Sequence, residues 1–179
     1  MMTSSITVKS SYRSLIDWFD NRGINPGENF VIAGLDKPLF VHLIVLAQAS
    51  STLSRVSNGE EDNHVKYDIA GHRIEWQYYT ERDGVYRSVL VKWLRFCYGE
   101  DQTFSPEECP AALCALDHLQ LTCRDEVRKT LIDYMVNTAR KDVNSGAQML
   151  CRCVQNYNEE CQADIDIALS RVVFSRDNI

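Results

Sequence analysis

The segment from Phe30 to Ser50 reads FVIAGLDKPLFVHLIVLAQAS. Two short apolar runs, Phe30 to Leu35 and Leu39 to His42, flank Asp36-Lys37-Pro38, and so short a break between strand-length runs leaves room only for a tight turn. The pair predicts a β-hairpin. Directly behind it the apolar residues change to helical spacing, and Leu43 to Val56 fits one helix, or two short helices broken near Ser50-Ser51.

Upstream, Ile6 and Val8 alternate with polar residues between Ser5 and Lys9, which reads as a strand. Tyr12, Leu15, Ile16 and Phe19 then follow at helical spacing until Gly23, and Pro26-Gly27 marks a turn. Downstream, Ser57 to Asn63 is polar and reads as exposed. Val65, Tyr67 and Ile69 alternate, as do Ile74, Trp76 and Tyr78, with Gly71 supplying the turn between two strands.

After Arg82-Asp83-Gly84 the pattern is helical to the end. Tyr86, Val89, Leu90, Trp93, Leu94 and Cys97 form one apolar face. Ser105-Pro106-Glu107-Glu108 has the form of a capping box and opens a helix with Cys109, Ala112, Leu113, Leu116 and Leu119 turned inward. Thr122 to Asp125, a weaker cap, leads to Val127, Leu131, Tyr134, Met135 and Ala139. A stop at Asp142 to Gly146 precedes two amphipathic stretches, one with Ala147, Leu150, Cys151, Val154 and Tyr157, the other with Ile165, Ala168, Leu169, Val172 and Val173. Strands gathered in the first half and helices alone in the second predict an α+β fold, a small β-sheet covered by helices and followed by a C-terminal helical pair.

The composition narrows the function. The 179 residues are 45% apolar with only 8 glycines and 4 prolines, enough for one substantial core. A net charge of -6 and a pI near 5.2, with no basic run, argue against a nucleic-acid partner. The longest apolar stretch, Leu39 to Ala47, falls far short of the roughly 20 residues a membrane span requires. The opening Met1 to Ser5 has no charged and apolar leader pattern, and seven irregularly spaced cysteines fit reduced thiols, so a cytoplasmic or nuclear setting is expected.

Candidates for chemistry are few. Cys114 and His118 stand four apart on one predicted helix and share a face, but a closed zinc site takes two further ligands and neither Cys109 nor Cys123 completes a pair. Buried thiols and a surface histidine explain the pattern. Cys151-x-Cys153 directs its sulfurs to different sides of a helix. A thiol nucleophile would have His42, His64, His72 and His118 as bases, with nothing to select among them, and the glycines build no phosphate loop. His42, opening an apolar helix after a strand, reads as structural. Trp76 and Tyr78 read as sheet core; left exposed with Tyr79, they would form an interface patch. No catalytic, metal or cofactor residue is assigned, and the chain is not read as an enzyme.

Several pieces together resemble the BTB (POZ) domain in order and spacing: Phe30 to Leu35, Phe40-Val41-His42, Val45-Leu46-Ala47 with Ser50, Leu94 to Gly99, and Ala115 to Leu121. The resemblance spans roughly residues 29 to 139. It implies a BTB-like domain over 29–141, an N-terminal extension over 1–28 of the kind exchanged across a homodimer, and a BACK-like helical start over 142–179. It also implies a homodimeric adaptor or scaffold, and for some family members a cullin partner in a ubiquitin ligase. The apolar-x-Glu triplet of the cullin-binding kind is missing from Ser57 to His64, where Glu60 and Glu61 stand alone. Its nearest match is Tyr79-Thr80-Glu81, so Glu60, Glu61, Tyr79 and Glu81 are the candidate partner-binding residues. A second departure is the pair of alternating segments between Val65 and Thr80 where the family has one.

The extension has a physical logic of its own. Burying a large apolar side chain is worth roughly 1.5 to 3 kcal/mol, so a helix carrying Tyr12, Leu15, Ile16 and Phe19 has to pack on something. Its own domain is one choice. A twofold partner, with Ile6 to Val8 pairing across, is the other, and the resemblance favours it by making Ile6, Val8, Tyr12, Leu15, Ile16 and Phe19 the dimer interface. Two rival classes remain: a purely structural assembly domain, and a thiol- or metal-dependent enzyme on an unrelated α+β fold.

Overall fold

A computed structural model describes residues 5–21, 30–33, 39–60, 65–67, 74–77 and 84–142, with 144, 146, 148, 149, 151, 163, 166–168, 170 and 171 beyond them. The elements run β1 (Ile6–Val8), α1 (Ile16–Asp20), β2 (Phe30–Ala33), β3 (Leu39–Val41), α2 (Leu43–Ala49), α3 (Ser51–Ser57), β4 (Val65–Tyr67), β5 (Ile74–Gln77), α4 (Gly84–Cys97), β6 (Gln102–Phe104), α5 (Cys109–Leu119) and α6 (Arg124–Lys141). The fold is α+β, a small sheet covered by helices.

Both expected hairpins form: β2 pairs antiparallel with β3, Phe30 opposite Val41, and β4 with β5, Val65 opposite Trp76. Their expected turns, at Asp36 to Pro38 and at Gly71, lie outside the described residues. The hairpins join through a parallel contact between β2 and β5, with Phe30 opposite Ile74, giving the order β3-β2-β5-β4. Parallel neighbours need a long crossover, and α2 with α3 lies within it.

Leu43 to Val56 forms two helices, and Ser50 is the reason. Its backbone is extended (φ -126°, ψ 123°), ending α2 and opening α3. The hydroxyl accepts the Leu53 N–H at 3.1 Å, a regular N-cap, and donates to the Leu119 carbonyl at the end of α5. Around this joint Ser51 N–H reaches the Gln120 carbonyl at 3.1 Å and Thr122 N–H reaches Ala49 at 2.9 Å. Gln120 itself is left-handed (φ 50°, ψ 50°), closing α5 in the manner usually left to glycine.

The core centres on α5, where every residue from Cys109 to Leu116, and Leu119, is buried. A helix apolar on all sides needs cover on all sides. Cover comes from α4, whose buried Trp93 donates its indole N–H to the Ala112 carbonyl at 3.0 Å, and from α6 through residues including Val127, Leu131 and Met135. Trp93 also packs on Phe96 and Phe104, ring centroids 5.2 and 4.8 Å away.

Three local expectations are corrected. The chain after Gly84 is not helical throughout, because Gln102–Phe104 is a strand pairing antiparallel with β1, Phe104 opposite Ile6. Its two inward positions are Gln102 and Phe104, and a polar residue at one of them hides the alternation. The N-terminal helix covers only Ile16–Asp20, since Tyr12 N–H turns to the Ser10 hydroxyl at 3.2 Å and Leu15 N–H to the Tyr98 carbonyl at 2.7 Å. At Ser105 only the reciprocal half of the capping box is made: Glu108 accepts the Ser105 N–H at 2.9 Å, and α5 begins after it, at Cys109.

Beyond α6, the described residues 144, 146, 148, 149 and 151 are helical, as are 163, 166–168, 170 and 171. Met149 and Ala168 are buried, Gly146 lies against Ala139, and Arg171 pairs with Asp133 at 2.6 Å, so both stretches rest on α6. No helix among the described residues is long and apolar enough to cross a membrane.

Gly99 has φ +89°, and a Cβ there would lie 2.6 Å from the Arg13 carbonyl oxygen and the Ser14 Cα; Gly59 has φ +81° with nothing within 4 Å. Gly59→Ala is therefore expected to cost about 1 to 2 kcal/mol from backbone strain alone. Gly99→Ala adds a backbone collision and loses at least about 1 kcal/mol more, as unfolding in urea measures.

Candidate functional site

The side chains proposed as an interface belong to an arm, residues 5–21, laid along β6 and over the end of α4, the end of α2 and the start of α6. Strand β1 lies on β6, with the Thr7 and Thr103 hydroxyls 2.9 Å apart. Ser10 follows, its N–H on Asp101 at 2.8 Å and its hydroxyl on the Phe96 carbonyl at 2.8 Å. The Tyr12 hydroxyl is 2.8 Å from that of Thr122, 3.2 Å from the Ala49 carbonyl and 3.6 Å from the Cys123 sulfur. Burial raises the Tyr12 phenol well above its ordinary 10.0, against the lowering by Thr122.

Helix α1 closes the arm. Phe19 is buried on the Tyr98 ring at 5.1 Å, beneath the Arg95 guanidinium at 5.2 Å. Arg95 in turn binds Asp20 at 2.7 Å and Glu100. Trp18, 47% exposed, lies over the imidazole of His42 with ring centroids 5.3 Å apart. His42 is 2% exposed; its backbone N–H donates to the Tyr98 hydroxyl at 2.9 Å, its Nδ1 is 3.1 Å from the same oxygen, and its Nε2 has no hydrogen-bond partner among the described residues. The partner of the ring is Tyr98, just past the end of α4.

Val8 and Phe19 are thus buried, and Ile6, Tyr12, Leu15 and Ile16 partly buried, against the chain's own core. Of the two shelters that the sequence leaves open, the single chain supplies the first. Glu60 is exposed just after α3, whereas Glu61, Tyr79 and Glu81 lie outside the described residues, as does Tyr78.

Among the described residues one cysteine lies beside a histidine four positions on. Cys114 Sγ lies 3.8 Å from His118 Nδ1, but that nitrogen also meets the Tyr86 hydroxyl at 2.9 Å and the thiol has no exposed surface. Among the described residues no three His, Cys, Asp or Glu side chains gather as metal ligands. A polar cavity of about 220 Å³ beside the Tyr12 clasp is lined by Ser51, Gln120, Leu121, Thr122, Arg124 and Asp125. Its cation, Arg124, is already paired with Asp117 at 3.2 Å and Asp125 at 3.5 Å.

Trp18 escaped the sequence reading, and Thr122 and Tyr98 entered it only as a helix cap and as part of the Leu94 to Gly99 segment. Trp18 carries a signal in hindsight: it falls between Ile16 and Phe19, off the helical stripe, as a large aromatic would on an exposed face. Comparison with protein-family models, with characterised proteins and with solved structures finds no match.

Alkali tests the arm's seat. Burial raises the Cys97 thiol well above its ordinary 9.0, and Cys123 adds to the shift. A group whose pKa is raised on folding contributes its full stability below the unfolded value and loses it as pH climbs. Above pH 9.0 stability is expected to fall by up to about 1.4 kcal/mol per pH unit for this thiol. Urea midpoints measured between about pH 8 and 11 should show a shallower fall in Cys97→Ala.

Proposed function

We propose that the chain is a homodimerising protein-interaction module of the BTB kind, acting as an adaptor or scaffold. The observation that carries this reading is the way the arm is held. Apart from local turn bonds, its hydrogen bonds run to residues remote in sequence: Thr103, Asp101, Phe96, Ala49, Thr122, Tyr98 and Arg95. Contacts of that kind are the same whether the arm belongs to this copy or to a twofold mate, so exchange creates a closed dimer at little cost beyond the linker.

The pieces behind the BTB resemblance also support it by their placement. The hairpin β2–β3 leads into His42 at the start of α2, α4 ends on the aromatic turn Phe96 to Gly99, and the Leu119-Gln120-Leu121 step docks at Ser50-Ser51. Nothing in the described cysteine and histidine geometry favours the enzyme reading over this one.

The solution mass tests the proposal. Light scattering at micromolar concentration is expected to return a dimer, and removing the residues before Gly23 should yield a monomer or weaken association at least tenfold. A strictly monomeric full chain, unchanged by that removal, would refute it. Retention on an immobilised cullin N-terminal domain marks a ligase adaptor; a dimer that is not retained marks an assembly domain.

A further inference from the structure

We infer that His42 and Trp18 form a proton-operated latch, in which charging the buried imidazole releases the arm. In the neutral ring one nitrogen donates and the other accepts. The Tyr98 hydroxyl serves Nδ1 in either tautomer, and Nε2 faces no partner among the described residues in either.

Protonation changes the demand. Both ring nitrogens become donors, and the Tyr98 oxygen must then accept from Nδ1–H as well as from the His42 amide. Nε2–H meets no acceptor among the described residues, in a site 2% exposed, and an unpaired buried charge is among the costliest features a core can hold.

The way out runs through Trp18. Its ring covers the imidazole while itself 47% exposed, so solvent stands one side chain away. Lifting Trp18 hydrates the imidazolium, and Trp18 rides on α1. That helix is anchored by the same residue that holds His42: Tyr98 gives its carbonyl to Leu15, its ring to Phe19 and its hydroxyl to the histidine.

Among the described residues, the charged groups on the packed elements do not pair with the imidazole. Helix α1 carries Asp17 and Asp20, of which Asp20 is paired with Arg95 of α4, and α2 carries no charged residue. None of these makes an ion pair with the imidazole. The face of the Trp18 indole offers a cation–π contact, but the rings are tilted by 46° and an exposed indole gives far less than full hydration. The latch stands whether the arm docks on its own chain or on a twofold mate, so it does not rest on the proposed dimer.

Hydrogen exchange of the full chain tests it, comparing Leu15–Asp20 amides with those of α5 over about pH 7.5 to 5, the interval in which histidine side chains change charge. After correction for intrinsic exchange, protection of Leu15–Asp20 is expected to fall by up to about tenfold per pH unit while α5 stays constant. In His42→Gln the fall should vanish. Trp18→Ala, at a half-exposed position, should also flatten it, because the imidazole hydrates without moving the arm, and this variant decides the matter should His42→Gln not fold. Flat protection in the unaltered chain, an equal fall in the available variant, or loss of α5 protection together with the arm would each overturn the latch.

Discussion

Helix α5 constrains everything around it. From Cys109 to Leu116 it presents no side chain to water, so its stability lies almost wholly in what is laid against it. The α4 face brings Trp93, α6 brings its apolar stripe, and the α2–α3 joint closes the far end through Ser50. A serine hydroxyl between two backbone groups is a small device for that task, but it satisfies an amide at a helix start and a carbonyl at a helix end in one place. Neither group has water to turn to, so leaving either unpaired would cost about 1 to 3 kcal/mol.

What was legible in the sequence is what repeats. The two hairpins, the helical second half and the break at Ser50-Ser51 were readable because strand and helix periods persist for several residues, or because a polar pair interrupts them. Strand β6 was not readable, and neither was the parallel meeting of β2 with β5. The first buries a glutamine, Gln102, where an apolar residue would mark the period, and the second is decided by how a crossover folds back. The N-terminal helix was overdrawn for a related reason. Tyr12 and Leu15 have helical spacing, but their amides are claimed by Ser10 and by Tyr98, the latter some eighty residues further on.

The same limit explains the candidate site. Side-chain types told which residues of the arm had to be sheltered, and Val8 and Phe19 are indeed the deepest of them. Sequence spacing has no means of showing that the Tyr12 hydroxyl lands on Thr122, or that Trp18 covers His42. Those contacts join segments that only the finished fold brings together. Tyr98 is the clearest case, a buried residue at a helix end whose backbone, ring and hydroxyl each serve a different neighbour.

Lys92 has a wider consequence. Its ammonium, held by Glu108, donates to the Thr103 carbonyl at 2.8 Å. A strand extends a ladder only through carbonyls and amides that are still available, and this one is occupied. With β1 on one flank of β6, the lysine occupies a carbonyl of this short ribbon. A strand seeking that carbonyl would first have to displace Lys92.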